Sequence, residues 1–192
     1  MRTMFEDAHL LVVEKPPGRD STDLPGPVLV VHRLDKLTSG LLVYAKTSGV
    51  ARRLARQFEA HAVERAYACV AHGALETQTI RSRLVRNRGD GLRGSGTGDE
   101  GKDAVTHVRV QVRHADRTAA VVTLETGRTH QIRIHLAEAG HPILGEPVYI
   151  RDHRASGRAV LPSPRLMLHA TTLGFVHPAT KALLRFESPA PW

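Results

Sequence analysis

Cysteine is nearly absent from this 192-residue chain, Cys69 being the only one. No disulfide can close within it, and a cysteine-rich zinc site is excluded, a composition that suits a reducing cytosol. Aromatic residues are scarce at 4%, which argues against a broad stacking platform for single-stranded nucleic acid. Long apolar runs are missing as well. Residues 10–13 and 41–45 are far too short to span a bilayer, and the first residues lack a signal-peptide layout. These absences predict a cytoplasmic protein with no membrane partner. No internal repeat appears at solenoid-like periods. Acid is in deficit: 27 Lys and Arg face 19 Asp and Glu, a formal charge of +8 before the 12 histidines are counted.

What is present describes an ordinary globular core, with 41% hydrophobic and 24% charged residues. The length suits one domain, or two small lobes sharing one sheet. The expectation is a single domain over 1–192. The positive surplus favours a polyanionic partner, because neutralising phosphates releases counterions. It also serves solubility, so charge by itself places nucleic acid only modestly ahead.

Patterning supplies the elements. Residues 10–14 read as a buried strand closed by Lys15-Pro16-Pro17-Gly18, followed to Pro27 by a loop rich in Gly, Pro and Asp. Residues 28–31 and 40–46 read as strands flanking a turn that holds His32-Arg33-Leu34-Asp35. Thr47 or Ser48 caps a helix to about Ala60, with Val50, Leu54 and Phe58 on one face and Arg52, Arg53 and Arg56 elsewhere. Residues 63–71 form a strand carrying Tyr67. Residues 87–102 hold six glycines in sixteen positions with almost nothing apolar, and are expected to be a mobile loop. Thr106, Val108, Val110 and Val112 alternate with His107, Arg109, Gln111 and Arg113, a half-buried strand with one basic face. Residues 117–124 pair with it through the Ala115-Asp116 turn. Thr129 starts a short helix with Ile132, Leu136 and Ala139 on one face and Gly140 at its end. Residues 173–176 and 182–187 form a closing strand pair. The fold class expected is α+β, a mainly antiparallel mixed sheet with flanking helices.

Three stretches carry chemistry. In His32-Arg33-Leu34-Asp35-Lys36-Leu37-Thr38-Ser39-Gly40 a carboxylate sits in a turn between apolar strands. Read singly, it is better explained by a local turn in which Asp35 and Thr38 satisfy backbone donors. Gly127-Arg128-Thr129-His130-Gln131-Ile132-Arg133-Ile134-His135-Leu136 crowds cations at a helix start, which alone reads as a solvated basic face. His130 and His135 are five apart and lack the spacing for metal on one helical face, so metal is rejected. In Arg65-Ala66-Tyr67-Ala68 a lone strand tyrosine is more often a core residue with a wet hydroxyl.

Together these stretches resemble the RluA family of pseudouridine synthases. That family carries an H-R-L-D-x-x-T-S-G signature, a [KR]-x-Y-x-A strand, and a G-R-[TS]-H-Q-[IL]-R-x-H helix with a G-H-P-I-x-G-[DE] tail, matched here in the same order and by Gly140-His141-Pro142-Ile143-Leu144-Gly145. The flanks agree. Leu11-Val12-Val13-Glu14-Lys15-Pro16-Pro17-Gly18 is similar to the family's opening, and Leu168-His169-Ala170 and His177-Pro178 to its close. The resemblance spans about residues 5 to 189.

The resemblance implies an isomerase that converts uridine to pseudouridine in structured RNA, with a pseudouridine synthase catalytic domain and no cofactor. It places the catalytic carboxylate at Asp35. Arg133 becomes its ion-pair partner, since an unpaired enclosed charge is costly and an opposite charge favours the ionised form. Tyr67 stacks on the uracil, with a hydroxyl available as a base, and Ile132 packs against the target ring. Arg33 fills the space of the flipped base, which its planar guanidinium suits. His32, Thr38, Arg128, His130 and Gln131 join the substrate-binding set.

Two departures bear on substrate choice. The stretch 19–31 is short for the family, and the chain starts directly in the catalytic domain, so no N-terminal RNA-binding extension is expected. Selection then falls to the domain, with loop 87–102 and Arg81, Arg83, Arg86, Arg88 and Arg93 as candidates. An idle connection is the equal alternative. The partner implied is a stem-loop of ribosomal or transfer RNA, bound by a monomer through phosphates and shape. The rivals are a catalytically idle RNA-binding protein and a histidine-based metal hydrolase.

Overall fold

The computed structural model describes residues 1–23 and 26–192, so part of the 19–31 stretch lies outside the described residues. In chain order the elements are β1 (Arg2–Glu6), β2 (Leu10–Lys15), β3 (Leu29–Val30), β4 (Ser39–Ala45), α1 (Ser48–Glu59), β5 (Glu64–His72) and β6 (Gln78–Val85). There follow β7 (Gly94–Ser95), β8 (Lys102–Arg113), β9 (Arg117–Leu124), α2 (Gln131–Glu138), α3 (Arg151–Ala155), β10 (Leu168–Val176) and β11 (Leu183–Glu187). They fall into two compact units, residues 1–67 with 169–192, and residues 68–168. Strands dominate and helices flank them, which is the α+β class expected.

In the first unit β1, β2 and β4 are antiparallel neighbours. β4 pairs with β10 in parallel through Ser39↔His169 and Gly40↔Ala170, and β11 closes on β10 antiparallel. One parallel pairing among antiparallel ones makes the sheet mixed. Gly40 permits that pairing: its φ is +112°, and a Cβ there would lie 2.3 Å from the Ala170 carbonyl oxygen, so only glycine fits. The expected strand 28–31 shrinks to β3, which pairs with β4 at two positions.

Helix α1 follows its sequence pattern. The Thr47 hydroxyl accepts from the Val50 N–H at 3.3 Å, satisfying one orphan donor of the first turn. Val50 and Leu54 are buried with Leu10, Val12, Leu41, Val43 and Phe175. Each such side chain contributes roughly 1.5–3 kcal/mol. Arg52, Arg53 and Arg56 stay exposed.

The second unit is an antiparallel meander in the order β9-β8-β6-β7. β8 alternates as expected up to a bulge between Val110 and Val112. Beyond it Val112 is 52% exposed, because the extra residue breaks the two-residue period. The glycine-rich segment departs from expectation. The Asn87 side chain accepts from the N–H groups of Gly89 and Gly91, and Asp90 accepts from Leu92. Glu138 on α2 accepts from the Ser95 N–H and hydroxyl. The segment is therefore braced rather than a free loop.

Helix α2 begins at Gln131, two residues later than expected, because His130 is left-handed at φ +60°. Six consecutive residues, Gln131 to Leu136, are buried, so the helix is enclosed all round instead of on one face, and Ala139 is exposed. It ends where anticipated, with Gly140 at φ +84°.

Candidate active site

In the first unit the turn carrying Asp35 is built from its backbone outward. Lys15 is fully buried, and its ammonium donates to the carbonyls of Pro16, Arg19 and Lys36 at 3.1, 2.9 and 3.1 Å. The Ser21 hydroxyl donates to the Leu34 carbonyl at 2.8 Å and accepts from the Leu34 N–H at 3.0 Å. The Tyr44 hydroxyl, itself buried, donates to the Ser21 carbonyl at 2.9 Å. Thr38 N–H closes the turn on the Asp35 carbonyl at 3.0 Å. Residues on both sides of Asp35 are thus tied down by Ser21, Lys15 and main-chain groups. The local-turn reading asked Asp35 and Thr38 side chains to do this. Thr38 does not: its hydroxyl is buried with no hydrogen-bond partner among the described residues.

Around this turn the unit gathers rings and a cation. His32 stacks on Phe58 at 4.4 Å and 21°, and its Nε2 accepts from the Val43 N–H at 3.1 Å. The neutral ring therefore carries its proton on Nδ1. Burial, with the Arg65 charge adding to it, brings the imidazole down to about 3. The Arg65 guanidinium lies 5.7 Å from the Phe58 ring centre. Tyr67 is buried at 9% exposure. Burial pushes its phenol up, Arg65 opposes this and Asp35 adds to it, so at neutral pH the hydroxyl keeps its proton. Asp35, Arg65 and Tyr67 thus share one electrostatic neighbourhood. Arg33 is exposed.

In the second unit Arg133 projects from α2 and is 4% exposed. Its Nε and Nη2 donate to Glu146 at 2.7 and 2.8 Å, a bidentate fork. The same carboxylate accepts from the Val148 and Tyr149 N–H groups at 2.9 and 3.2 Å. Burial raises the Glu146 carboxyl, but Arg133 and these amides outweigh it and hold it below the usual range. The Tyr149 ring centre is 5.4 Å from the guanidinium carbon, and its hydroxyl meets His130 Nδ1 at 2.8 Å. Sequence reasoning did not single out Glu146, although the acidic position closing the G-H-P-I-x-G-[DE] tail was its signal.

Other members of the set are differently employed. Gln131 is 2% exposed. Its amide oxygen accepts from the Thr126 hydroxyl and the Arg128 N–H, and its amide nitrogen donates to the Val105 carbonyl and the Thr106 hydroxyl. Arg128 Nε donates to the Asp103 carbonyl at 2.9 Å. Ile132 is 5% exposed. The structure places His32, Arg33, Asp35, Thr38 and Tyr67 in the first unit, and Arg128, His130, Gln131, Ile132 and Arg133 in the second. Among the described residues no three His, Cys, Asp or Glu side chains are grouped to hold a metal ion.

This architecture is that of a pseudouridine synthase catalytic fold. The chain is similar to the solved structure of human RNA pseudouridylate synthase domain containing 1, with a TM-score of 0.80 and 26% identity over 99% of this chain and 83% of that one. Its fold is also shared by the human domain containing 4 protein, at a TM-score of 0.77 and 22% identity, with 99% and 88% coverage. The model of the RNA pseudouridylate synthase family matches residues 18–138, and the chain belongs to that family. It is 36% identical to a ribosomal large subunit pseudouridine synthase D from Nitrosomonas europaea, over 100% of this chain and 62% of the relative. Against the protein of that description from Neisseria meningitidis serogroup B, identity is 40% over 98% of this chain and 58% of the relative. The chain thus spans about three fifths of the length of these curated relatives.

Proposed function

We propose that this chain isomerises a uridine to pseudouridine in structured RNA, with Asp35 as the reacting carboxylate. Family membership and the names of its relatives favour ribosomal RNA, with transfer RNA as the other candidate. The observation that carries the reading is the turn itself. A carboxylate is held on a backbone pinned by a buried ammonium and a buried serine, within the field of a buried tyrosine. Positioning of that kind is what a reaction at one sugar carbon requires.

The reaction cleaves C1′–N1, turns the base and joins C1′ to C5. A proton then leaves C5 and one is taken up at N1. Atoms and electrons balance without a redox partner or cofactor. The Asp35 carboxylate serves as nucleophile at C1′ or at C6, or assists removal of a sugar proton on the way to a glycal. By its place in the family motif Arg133 is assigned to the reacting set as the cation for the Asp35 carboxylate, and Glu146 orients it by holding its Nε–Nη2 edge. Tyr67 presents its ring and a protonated hydroxyl to the uracil, and Ile132 packs against the ring. Flipping the nucleotide costs roughly a few kcal/mol, and Arg33 stacks in the vacated space. His32, Thr38, Arg128 and His130 line the substrate. Gln131, with its amide fully engaged, braces the α2 start instead of touching RNA. We read the two units as lobes of one catalytic domain acting as a cytoplasmic monomer. No helix among the described residues is long and apolar enough to cross a membrane.

The test is to incubate the protein with unmodified ribosomal and transfer RNA and map pseudouridines. Asp35→Asn is expected to lower the rate at least about a thousandfold, roughly 4 kcal/mol of barrier, while RNA binding persists. Turnover near wild type in the variant refutes the role of Asp35. No product from the wild-type protein on any such RNA refutes the reaction.

A further inference from the structure

We propose that Arg65 is the binding residue for the phosphodiester of the flipped nucleotide, a role that rests on the reaction proposed above. The argument begins with strand alternation. Neighbours on β5 point to opposite faces and residues two apart share one, so Arg65 and Tyr67 lie on the same face. Glu64, the acidic residue next to Arg65, is on the other, where it pairs with Arg185 at 3.0 Å.

The guanidinium that results is unusual in what it lacks. Among the described residues no carboxylate lies within ion-pair distance of Arg65. Its Nε–H is enclosed by protein and yet has no hydrogen-bond acceptor. A partly buried charge without a counter-ion is costly, and a fold keeps one where an anion is to arrive. The group lies over Phe58, with the guanidinium carbon 5.7 Å from the ring centre, and His32 stacks on the same ring at 4.4 Å. With Nε enclosed, the terminal Nη groups remain to donate to phosphate oxygens, the geometry in which a guanidinium can bind two of them.

Place and chemistry then select the ligand. The Arg65 charge is felt by both His32 and Tyr67, and Tyr67 feels Asp35 as well. An anion bound by Arg65 therefore sits beside the turn that carries the reacting carboxylate. Uracil is neutral, and the sugar is neutral. The one negative group that every flipped nucleotide brings is its phosphodiester. His32, kept neutral, adds no second cation to compete for it.

The experiment is a double-mutant cycle between protein and RNA, read as binding in the Asp35→Asn background. The probe is a stem-loop oligoribonucleotide with one loop uridine, made with ordinary linkages or with an uncharged methylphosphonate on the 5′ or the 3′ side of it. Arg65→Gln is expected to weaken binding about tenfold, the scale of one hydrogen-bonded charge contact. It should also flatten the dependence of log K on log salt by roughly 0.7, the value of one single-strand phosphate. For one of the two modified RNAs, Arg65→Gln should cause no further loss. Arg65→Lys should restore the salt slope while recovering only part of the affinity, since ammonium does not stack on Phe58 as guanidinium does. Additive losses with both modified RNAs, or an unchanged salt slope, overturn the proposal. Neither outcome bears on turnover, which the wild-type protein reports separately.

Discussion

The arginines of the two units are paired to different extents. In the second unit several are spent on carboxylates, although Arg86, Arg93, Arg109, Arg154 and Arg158 have none within ion-pair distance among the described residues. Arg83 faces Asp99 and Asp103, Arg88 meets Asp90, Glu138 and Asp152, Arg133 grips Glu146, and Arg151 pairs with Asp90 and Asp152. In the first unit Arg2 and Arg185 are paired. Arg33, Arg52, Arg56 and Arg65, however, have no carboxylate within ion-pair distance among the described residues. A net charge of +8 therefore says little about where positive potential is available. Pairing decides that, and it leaves Arg86 and Arg93 near the glycine-rich segment, together with α1 and the Asp35 turn, as places where positive charge is unanswered by carboxylates among the described residues. Of the five arginines suggested around that segment, Arg81 also has a partner, Glu125 at 3.6 Å. Arg88 is held so firmly by Asp90 and Asp152 that its pKa is pushed up further.

The sharpest way to break this contrast is to remove the acid from one pair in each unit. Glu146→Ala takes its bidentate carboxylate from a buried guanidinium and the acceptor from two amides, and should cost about 3–5 kcal/mol in urea unfolding. Glu64→Ala, in an exposed pair, should cost no more than about 1 kcal/mol. Equal losses would erase the distinction between structural and available arginines.

Acid provides a second, smaller lever. His32 and His72 both titrate below the ordinary imidazole value, first because of burial. A histidine depressed in the folded state binds its proton more readily when unfolded. Stability should therefore fall as pH drops below about 6.5, by at most one proton's slope per group, roughly 1.4 kcal/mol per pH unit. For His32 the loss continues towards its folded value of about 3. Its ring resonances should show no titration between pH 5 and 8. A midpoint near 6.5 for His32 would contradict the stacked, buried placement.

The smallest effects are those on RNA. Arg52→Gln and Arg56→Gln, on the exposed face of α1, should each reduce the salt slope of RNA binding by about 0.7–0.9. Arg83→Gln and Arg88→Gln should reduce it by less, because those charges are already answered by protein carboxylates. A larger drop for the second pair would return recognition to the glycine-rich segment.

Local chemistry was the legible part of the sequence. The Thr47 cap, the Val50–Leu54 spacing of α1, the β8–β9 hairpin and the Gly140 stop all follow from near neighbours, and the structure shows each. Asp35, Tyr67 and Arg133 stood out through motifs whose order matches the family. What escaped was long-range. Glycine content suggested freedom at 87–102, but the partners that brace it, Glu138 and Asp152, are some forty to sixty positions away. The one-sided reading of α2 failed because a period of 3.6 reports one apolar stripe and is silent about polar residues such as Gln131 that are buried by saturating their hydrogen bonds. β6, with arginines on alternate positions, gave little apolar signal. Lys15 looked like punctuation in a proline turn, and nothing local announced that its ammonium is enclosed.

That ammonium has a mechanical consequence. Because one Nζ binds carbonyls contributed by Pro16, Arg19 and Lys36, two chain segments about twenty residues apart are riveted at a single atom. Any excursion of the loop at Asp35 must carry the opening proline segment with it or strip a charge of its ligands. The two segments therefore breathe together or stay still, and their amides should open to solvent in concert.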